Sequence, residues 1–292
     1  MNISNRGGVP VGKIISVANH KGGVGKTAIA LVISNTLSWL QENDPDSLPE
    51  EYRQKPILIV DTDPQANTTE ALGVDPAEIN ANILEVYQDP RIMNTTKGIS
   101  VILSSRKHKN ISVIPSSIRL EKLSGEINSL IDGRNRLKLA LEHIKEAYSL
   151  IVIDTPPSLG VFTQNAVVAS DYVIIPLTLS KHALMGVSNM LSFLLSAKQS
   201  QNGDLNVLGL LVNGFDKRYR LQVSLLDVVQ KEYKDFVFKT IIPTSSRIVE
   251  NIAGRRNVLR NISVDQKDVV IAFLQEMFDR MDQKSSIPLV IA

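Results

Sequence analysis

A run with three glycines and two lysines near the amino terminus has the residue types that bind phosphate groups. It extends from His20 to Thr27 and has the sequence HKGGVGKT. In a loop of this kind successive backbone N–H groups point at phosphate oxygens, a lysine reaches the terminal phosphates, and a threonine hydroxyl suits Mg²⁺. An apolar stretch over residues 13–18 precedes the loop and an apolar-periodic segment follows it, which predicts a strand, a phosphate loop and a helix. The sequence therefore predicts a nucleotide site.

Within this loop each position has a predicted task. Lys26 lies where a lysine reaches the terminal phosphates, and the Thr27 hydroxyl is a predicted ligand of Mg²⁺. The ordinary pattern G-x-x-x-x-G-K-[ST] would place glycine at position 20, where this chain has His20, and it does not require Lys21. The residues predicted to contact the nucleotide here are Lys21, Gly22, Gly23, Val24, Gly25, Lys26, Thr27 and Ala28.

Aspartates end two of the other apolar stretches. Asp154 follows residues 150–153, and its carboxylate can hold Mg²⁺, usually through a metal-bound water, because the ligand crevice of an open α/β sheet lies at the carboxyl ends of its strands. Asp61 and Asp63 end a second stretch. Residues two apart in a strand share a face, so both carboxylates point toward the phosphates if that strand persists to Asp63. Phosphoryl transfer to water needs a held metal and an aligned water, but the residues alone do not separate these two roles.

Apolar runs rich in Ile, Val and Leu recur along the chain and are typical of buried parallel strands. They cover residues 13–18, 56–60, 111–114, 150–153, 172–175, 207–212 and 238–242. The helical patterns between them, which supply the crossovers that parallel pairing demands, include residues 27–41, 134–148, 184–198, 221–233 and 266–281. Two polar stretches, residues 42–55 and 89–109, are predicted to be surface loops or short insertions. We expect an α/β fold with a doubly wound, mostly parallel sheet flanked by helices.

The amino-acid composition limits the classes of protein to which this chain can belong. With 292 residues, 43% of them hydrophobic and 21% charged, the chain can bury a sizeable core. We expect one domain over residues 1–292, with flexible tails at 1–12 and 284–292. The chain has no cysteine, which excludes disulfides, thiolate catalysis and cysteine-ligated zinc or iron–sulfur clusters. No apolar run approaches the roughly 20 residues of a membrane span, so we expect a cytoplasmic protein with no membrane partner.

Three motifs together resemble one family of nucleotide-binding proteins. The sequence KGGVGKT from Lys21 to Thr27, with a lysine opening the loop, is similar to the deviant Walker A box of the ParA/MinD family of P-loop ATPases. DTDPQANTT, starting at Asp61, resembles the switch segment of that family, and DTPPSLG, starting at Asp154, resembles its Walker B strand and following loop. The motifs are most similar to those of the ParA/Soj partition ATPases, and the resemblance runs from about residue 13 to about residue 276.

The resemblance implies a P-loop NTPase fold of the deviant Walker A type and Mg²⁺-dependent hydrolysis of ATP. It assigns Asp63 as the residue that orients or activates water, and it places Asp61 near the metal with Thr27 and Asp154. In the family the signature lysine, here Lys21, crosses the interface of an ATP-sandwiched dimer and contacts the partner's nucleotide, as an arginine supplied in trans does in other NTPases. A homodimer that forms on ATP binding is therefore implied. The predicted catalytic residues are Lys21, Lys26 and Asp63.

Adenine contacts are predicted in the second half of the chain. Asn213 follows the apolar run at 207–212, and the resemblance places an adenine-contacting polar residue near it, with the backbone around Pro243 and Thr244 on the other side. From the residues alone, Asn213 could equally cap a turn with Gly214. The choice between a nucleotide contact and a turn stays open at this point.

Charge distribution bears on a nucleic-acid partner. The net charge of the chain is only +2, but ten basic residues stand against five acidic ones between Asp216 and Arg260. Such a local excess is often a solvated surface, although a face that binds phosphate also has this character. Partition ATPases bind DNA without sequence preference through basic residues of this part of the chain. The resemblance places that role on Lys217, Arg218, Arg220 and Arg247.

The resemblance favours a dynamic ATPase for plasmid or chromosome partition. ATP-bound dimers would bind nonspecific DNA of the nucleoid, and a ParB-like centromere-binding protein would stimulate hydrolysis and release them. The alternative is a MinD-like positioning ATPase that acts on a membrane or a protein cargo, but the last helical segment lacks the basic amphipathic character that anionic lipid requires. A third class, a P-loop synthetase or ligase, shares the fold. The chain has Ser180-Lys181-His182 where many family members have a glutamate, so dimer contacts could differ there.

Overall fold

An eight-stranded sheet runs through the centre of the molecule. The computed structural model describes residues 12–105, 107–180 and 183–283. The strands are β1 (Lys13–Val17), β2 (Ile57–Asp61), β3 (Leu103–Ser104), β4 (Ile111–Ile114), β5 (Leu150–Asp154), β6 (Tyr172–Leu177), β7 (Asn206–Phe215) and β8 (Ile242–Pro243). Their order across the sheet is β3-β4-β2-β5-β1-β6-β7-β8. Every neighbouring pair is parallel except β3 with β4, so the predicted mostly parallel sheet is confirmed.

Two neighbouring inner strands, β2 and β5, are buried along their whole length. All five residues of β2 and of β5 are buried, which explains why these strands appear in the sequence as continuous apolar runs instead of alternating patterns. In the strand register, Asp154 at the end of β5 lies beside Asp61 of β2 on one side and beside Val17 of β1 on the other. The strand before the phosphate loop and the strands with the predicted aspartates therefore end side by side.

Helices cover both faces of the sheet. They are α1 (Lys26–Asn43), α2 (Asn67–Ala71), α3 (Ile83–Gln88), α4 (Thr96–Val101), α5 (Leu120–Ser129), α6 (Arg136–Glu142), α7 (Val161–Ala169), α8 (Ala183–Ser200), α9 (Arg220–Tyr233), α10 (Ser246–Ala253) and α11 (Val264–Asp282). Val152 of β5 packs in one core cluster with α1 and α11. Its neighbours Ile151 and Ile153 pack in another with α3, α5, α6 and α7. Because successive strand residues face opposite sides, this confirms a doubly wound sheet.

The polar stretch over residues 89–109 is more than the predicted surface loop or insertion. It contains α4, whose first turn is capped by the Thr95 hydroxyl, and the edge strand β3, which pairs with β4 in the antiparallel direction. Met93, Val101 and His108 of this stretch are buried. A strand of two residues is too short to produce a recognisable alternation in the sequence. The other polar stretch, residues 42–55, contains two short 3-10 turns at Pro45–Ser47 and Glu50–Tyr52.

The predicted strand over residues 238–242 is wrong for most of its length. Only Ile242–Pro243 forms a strand. The N–H groups of Lys239 and Thr240 donate to the carboxylate of Glu276 on α11, at 2.7 and 2.8 Å, instead of to β7. Phe238 is nevertheless buried in the core. The Glu276 carboxylate on α11 thus takes the place of strand β7 as hydrogen-bond acceptor. A local sequence pattern does not reveal such a distant contact.

Two predicted boundaries also differ. The helical pattern over 134–148 is shortened to α6, and a 3-10 turn at Lys145–Ala147 then leads into β5. Of the predicted flexible tails only Gly12 is described, and it is buried against the carbonyl groups of Lys145 and Tyr148, so it is packed instead of flexible. Residues 1–11 and 284–292 lie outside the described residues. Within the described ranges, no helix is both long enough and apolar enough to cross a bilayer.

Candidate nucleotide site

The loop between β1 and α1 is a tight turn at the carboxyl edge of the sheet. Gly23 and Gly25 have φ angles of 74° and 88°, in the left-handed region that glycine adopts without strain. α1 begins at Lys26 and is 18 residues long, so the positive end of its dipole points at the loop. Free N–H groups at a helix start behind a glycine turn form the usual protein arrangement for binding phosphate.

The residues predicted to contact adenine come together beside this loop. The Nδ2 of Asn213 donates to the backbone oxygen of Val24 at 2.9 Å. Thr244 follows Pro243 at the end of β8 and donates its hydroxyl to the backbone oxygen of Gly214 at 2.9 Å. The Asn213 side chain therefore reaches across to the phosphate loop instead of capping its own turn. Its contact with adenine stays a prediction.

Lys26 places a buried positive charge in the centre of the site. Its Nζ donates to the backbone oxygen of Lys21 at 3.1 Å. Burial lowers the pKa of Lys26, and the charges of Asp154 and Asp63 act in the opposite direction. The predicted lysine and two of the predicted aspartates are therefore close enough to interact electrostatically.

Asp154 has one carboxylate oxygen that is well bonded and one that is not. Thr27 and Thr68 each donate a hydroxyl to its Oδ2 at 2.7 Å. Its Oδ1 is buried with no hydrogen-bond partner, which is costly unless a cation or a water satisfies it. A carboxylate oxygen beside a threonine hydroxyl fits Mg²⁺. No group of three His, Cys, Asp or Glu in the described part of the chain is placed to hold a metal, so most of the shell would consist of phosphate oxygens and water.

Asp61 and Asp63 have different surroundings. β2 ends at Asp61, so the condition for the two side chains to share a strand face is not met. Asp61 accepts the N–H of Asp63 at 3.1 Å on Oδ1, and the N–H and hydroxyl of Thr69 at 2.9 and 2.7 Å on Oδ2. Asp63 accepts the N–H of Gln65 at 3.0 Å. Asp61 is thus enclosed by donors, and its predicted role at the metal stays a prediction.

The signature lysine, Lys21, has a partner within its own chain. Its Nζ donates to the Oγ of Ser180 at 2.8 Å, and its backbone N–H donates to the Oδ1 of Asn19 at 3.0 Å. Ser180 begins the Ser180-Lys181-His182 segment in which the sequence departs from the family pattern, and Lys181 and His182 lie outside the described residues. A neutral hydroxyl therefore holds this ammonium group on its own subunit.

The carboxyl groups of Asp61 and Asp154 are fully buried on adjacent strands. Burial raises the pKa of both, and the charge of Asp154 raises the pKa of Asp61 further. Hydrogen bonds from Thr69 to Asp61, and from Thr68 and Thr27 to Asp154, act in the opposite direction. Without metal or nucleotide the site therefore holds protons more tightly than exposed aspartates do.

The free energy of unfolding of the nucleotide-free protein is expected to fall as the pH rises from about 5 to about 8. Carboxyls with a raised pKa bind more protons in the folded than in the unfolded protein. The stabilisation that these carboxyls give below their ordinary pKa near 4 is therefore lost as the pH rises through their folded-state pKa values. The loss is on the order of 1.4 kcal/mol for each tenfold difference in proton affinity between the folded and unfolded states. Thermal unfolding across this range measures the effect. Mg²⁺ with ADP should flatten the fall, because a metal binds the deprotonated carboxylate.

An Asp61→Asn variant is the control for this pH dependence. Burial lowers the pKa of His108, which makes stability rise with pH near the ordinary histidine pKa of about 6.5. The variant keeps that histidine, so the difference between wild type and variant isolates the carboxyl. If this difference did not change with pH, the proposed proton binding by Asp61 would be wrong.

Four basic residues predicted to bind DNA lie on segments that follow adjacent strands, and we call them the basic face. They are Lys217, Arg218 and Arg220 after β7, and Arg247 on α10 after β8. All four are exposed. Arg247 pairs with Glu250 at 3.0 Å, an exposed ion pair that contributes little and can exchange for a phosphate. Arg218 is held more firmly, because its Nε and Nη2 both donate to the carboxylate of Asp216, whose side chain is 11% exposed. Their contact with DNA stays a prediction.

Three residues that contact the site had no predicted role. Thr68 and Thr69 donate to Asp154 and Asp61, and two adjacent hydroxyl residues directly after the DPQAN turn are the signal that could have indicated them. Asn19 fixes the start of the phosphate loop. Nothing in the spacing around Asn19 distinguishes it from an ordinary loop residue.

Sequence comparison relates this site to known proteins. The family model AAA_31, an AAA domain, matches residues 12–207. The chain is 35% identical over 241 residues to the sporulation initiation inhibitor protein Soj of Bacillus subtilis. The aligned region covers 82% of this chain and 87% of that protein. It is 31% identical over 281 residues to the chromosome partitioning protein ParA of Myxococcus xanthus, covering 96% of this chain and 93% of that protein.

Solved structures share the fold. A putative plasmid partition protein from Borrelia burgdorferi bound to AMPPNP has a TM-score of 0.68 at 25% identity, covering 94% of this chain and 100% of that chain. Cobyrinic acid a,c-diamide synthase from Mycobacterium smegmatis, with bound ADP and magnesium, has a TM-score of 0.75 at 24% identity, covering 95% of this chain and 98% of that chain, and shows the fold alone. From its motifs, its doubly wound sheet and its relatives, the chain belongs to the ParA/Soj family of P-loop ATPases.

Proposed function

We propose that this protein hydrolyses ATP to ADP and phosphate with Mg²⁺, and that it acts in plasmid or chromosome partition. The observation that carries the ATPase part is the convergence of Lys26, Thr27 and Asp154 at the phosphate loop, where Asp154 accepts the Thr27 hydroxyl on Oδ2 and has no partner on its buried Oδ1. The relationship to Soj and ParA supports the partition part. The phosphate loop alone would fit many nucleotide-binding proteins.

Each side chain of the site has a part in transferring a phosphoryl group to water. Lys26 neutralises charge on the β- and γ-phosphates, while the loop N–H groups and the start of α1 bind the phosphate oxygens. Thr27 and Asp154, with Asp61 nearby, would hold Mg²⁺, and the ion would supply further positive charge to the phosphates. Asp63, whose charge already acts on Lys26, orients or activates the water. These roles need no residue outside the strand ends and the loop.

Lys21 is the proposed contribution of one subunit to the nucleotide of the other. To reach it, the ammonium group must leave the Oγ of Ser180, a hydrogen bond with a net contribution of about 1 kcal/mol. A phosphate on the partner's nucleotide offers a charge-assisted bond, which is stronger. Dimerisation would therefore depend on ATP.

The basic face is the proposed contact with DNA. Lysine and arginine bind phosphate by charge and release counterions, so binding of this type is independent of sequence and falls with salt. A ParB-like centromere-binding protein is the proposed activator of hydrolysis. On this proposal the protein works in the cytoplasm, on the nucleoid.

Binding to nonspecific duplex DNA tests the partition proposal. We expect binding with ATP, none with ADP or without nucleotide, and a steep fall with salt. Replacing Lys217, Arg218 and Arg220 by glutamine should reduce the affinity by about 10-fold or more, and each lost phosphate contact should lower the salt slope by about one. A Lys21→Ala variant should bind ATP but neither dimerise nor bind DNA.

The matched control removes the same charge elsewhere. Exposed basic residues on or beside α4 and α5 are available for it, namely Lys97, Lys122 and Arg134. Replacing these three by glutamine should change DNA affinity by no more than about twofold. ATP-dependent dimers that bind DNA in no nucleotide state would contradict the partition proposal and favour a MinD-like ATPase that acts on a membrane or a protein cargo.

A further inference from the structure

Two adjacent threonines at the start of α2 each bond to a different buried aspartate. The residue before the helix, Ala66, adopts a left-handed conformation with φ 54° and offers no side-chain cap. Thr68 donates to Asp154 and Thr69 donates to Asp61. Both threonines are fully buried. One short helix therefore touches the ends of both β5 and β2 through neighbouring hydroxyls.

The hydroxyl of Thr69 has a fixed hydrogen-bond direction. It accepts the N–H of Ser116 at 2.9 Å, so its own hydrogen goes to the Oδ2 of Asp61 at 2.7 Å. The backbone N–H of Thr69 donates to the same oxygen at 2.9 Å. All three residues are buried, where a hydrogen bond has few alternatives and its geometry is demanding. Through these hydrogen bonds Thr69 connects α2 and the segment after β4 to the Asp61 side chain at the end of β2.

The other oxygen of that carboxylate holds the backbone at Asp63. The Oδ1 of Asp61 accepts the Asp63 N–H at 3.1 Å. Since β2 has already ended, strand pairing does not fix Asp63. Its N–H is held by Asp61, its carbonyl accepts the N–H of Ala66 at 2.9 Å, and the preceding Thr62 donates its N–H to the backbone oxygen of Asp154 at 3.1 Å. The position of the Asp63 side chain therefore depends on how Asp61 is held.

We infer that Thr69 is a positioning residue for Asp63 that acts through Asp61. The inference rests on the proposed ATPase function, in which Asp63 orients or activates water. Displacing a catalytic group by about 1 Å costs on the order of 10²-fold in rate. Nucleotide binding depends on the loop and the start of α1, which the Thr69 hydrogen bonds do not reach. Loss of the Thr69 hydroxyl should therefore lower kcat and spare affinity.

Thr68 offers a matched comparison one residue away. Its hydroxyl shares the Oδ2 of Asp154 with Thr27, the predicted partner of Asp154 at Mg²⁺, and makes no hydrogen bond to Asp61. Removing a hydrogen bond of this kind from a metal ligand typically costs 10–100-fold in metal affinity. The two hydroxyls should thus be separable by experiment: one governs turnover, the other the requirement for Mg²⁺.

The experiment compares full-length wild type with Thr69→Val, Thr69→Ser and Thr68→Val. Thr69→Val should lower kcat for ATP about 10- to 100-fold, with KM and the affinity for a fluorescent ATP analogue within about twofold of wild type. Thr69→Ser keeps the hydroxyl and should recover most of kcat. Thr68→Val should raise the Mg²⁺ concentration needed for nucleotide binding by about 10-fold or more, with kcat near wild type at saturating Mg²⁺.

Amide hydrogen exchange supplies a readout that does not depend on turnover. In Thr69→Val the amides of Asp63, Gln65 and Ala66 should exchange about 10-fold faster or more, while those of β1 and β5 keep wild-type protection and thereby show that the variant is folded. Unchanged exchange in this segment, or a Thr69→Ser variant as slow in turnover as Thr69→Val, would overturn the positioning role. A wild-type protein without turnover would instead count against the proposed ATPase function. Amide hydrogen exchange in Thr69→Val would still test whether Thr69 positions Asp63.

Discussion

Replacing Asp63 by alanine is expected to lower kcat for ATP hydrolysis by about 10²- to 10⁴-fold, the usual contribution of a positioned acid or base. ATP binding and ATP-dependent dimerisation should persist, because the phosphate loop, Lys26 and Asp154 are intact. The variant should therefore accumulate as an ATP-bound dimer. Steady-state phosphate release, together with light scattering in the presence of ATP, measures both parts of this result.

The control for Asp63 is Asp75→Ala. Asp75 accepts the N–H of Ala77 at 2.9 Å, as Asp63 accepts the N–H of Gln65 at 3.0 Å, but it does so on the surface. The two substitutions remove the same kind of local hydrogen bond. Equal rates for Asp63→Ala and wild type, or an equal loss in Asp75→Ala, would show that Asp63 has no chemical role.

A Gly25→Ala substitution is expected to abolish tight nucleotide binding and to destabilise the fold. Gly25 has φ 88°, a left-handed conformation that costs a residue with a Cβ about 1–2 kcal/mol. Its Cβ would also overlap the Nδ2 of Asn213, which is bonded to Val24. Together these effects should raise the dissociation constant for ATP by about 10-fold or more. Titration with a fluorescent ATP analogue and thermal unfolding measure them.

The other loop glycines separate the two causes. Gly23 has φ 74° with nothing within 4 Å of a Cβ, so Gly23→Ala has strain without overlap. Gly22 has neither, since its nearest contact would be the Cβ of Pro157 at 3.7 Å. In nucleotide-free protein the loss of stability should rank Gly25 above Gly23 above Gly22. If Gly25→Ala were as stable as Gly22→Ala, the overlap with Asn213 would contribute nothing to the loss of stability.

Local sequence patterns were enough to predict the phosphate loop and the strand ends. The loop glycines, Lys26 and Thr27 follow one another in the chain, so their arrangement depends on a single turn. The contact of Thr27 with Asp154 was also predictable in kind, since Thr27 follows the loop at the carboxyl end of β1 and Asp154 ends the neighbouring parallel strand β5. The doubly wound sheet followed from apolar runs that the buried strands require.

Contacts between distant segments were not predictable in this way. The bond of Lys21 to Ser180 joins residues 159 positions apart, and the sequence pattern around each of them gives no sign of the other. Likewise, the carboxylate of Glu276 accepts the N–H groups of Lys239 and Thr240, which the predicted strand at 238–242 would have used for pairing with β7. The relative orientation of Asp61 and Asp63 could not be predicted for a related reason, because it depends on where β2 stops and not on their spacing.

The bond from Lys26 to the backbone oxygen of Lys21 has a consequence for the thermodynamics of ligand entry. Because the ammonium group bends back onto the loop, contacts within this chain are enough to close the loop around a positive centre. Most of the conformational entropy of shaping it is lost during folding, so binding should order few additional torsions. A nucleotide then exchanges one intramolecular acceptor for its own oxygens, and the empty and loaded loops should differ in hydrogen-bond partners far more than in backbone path.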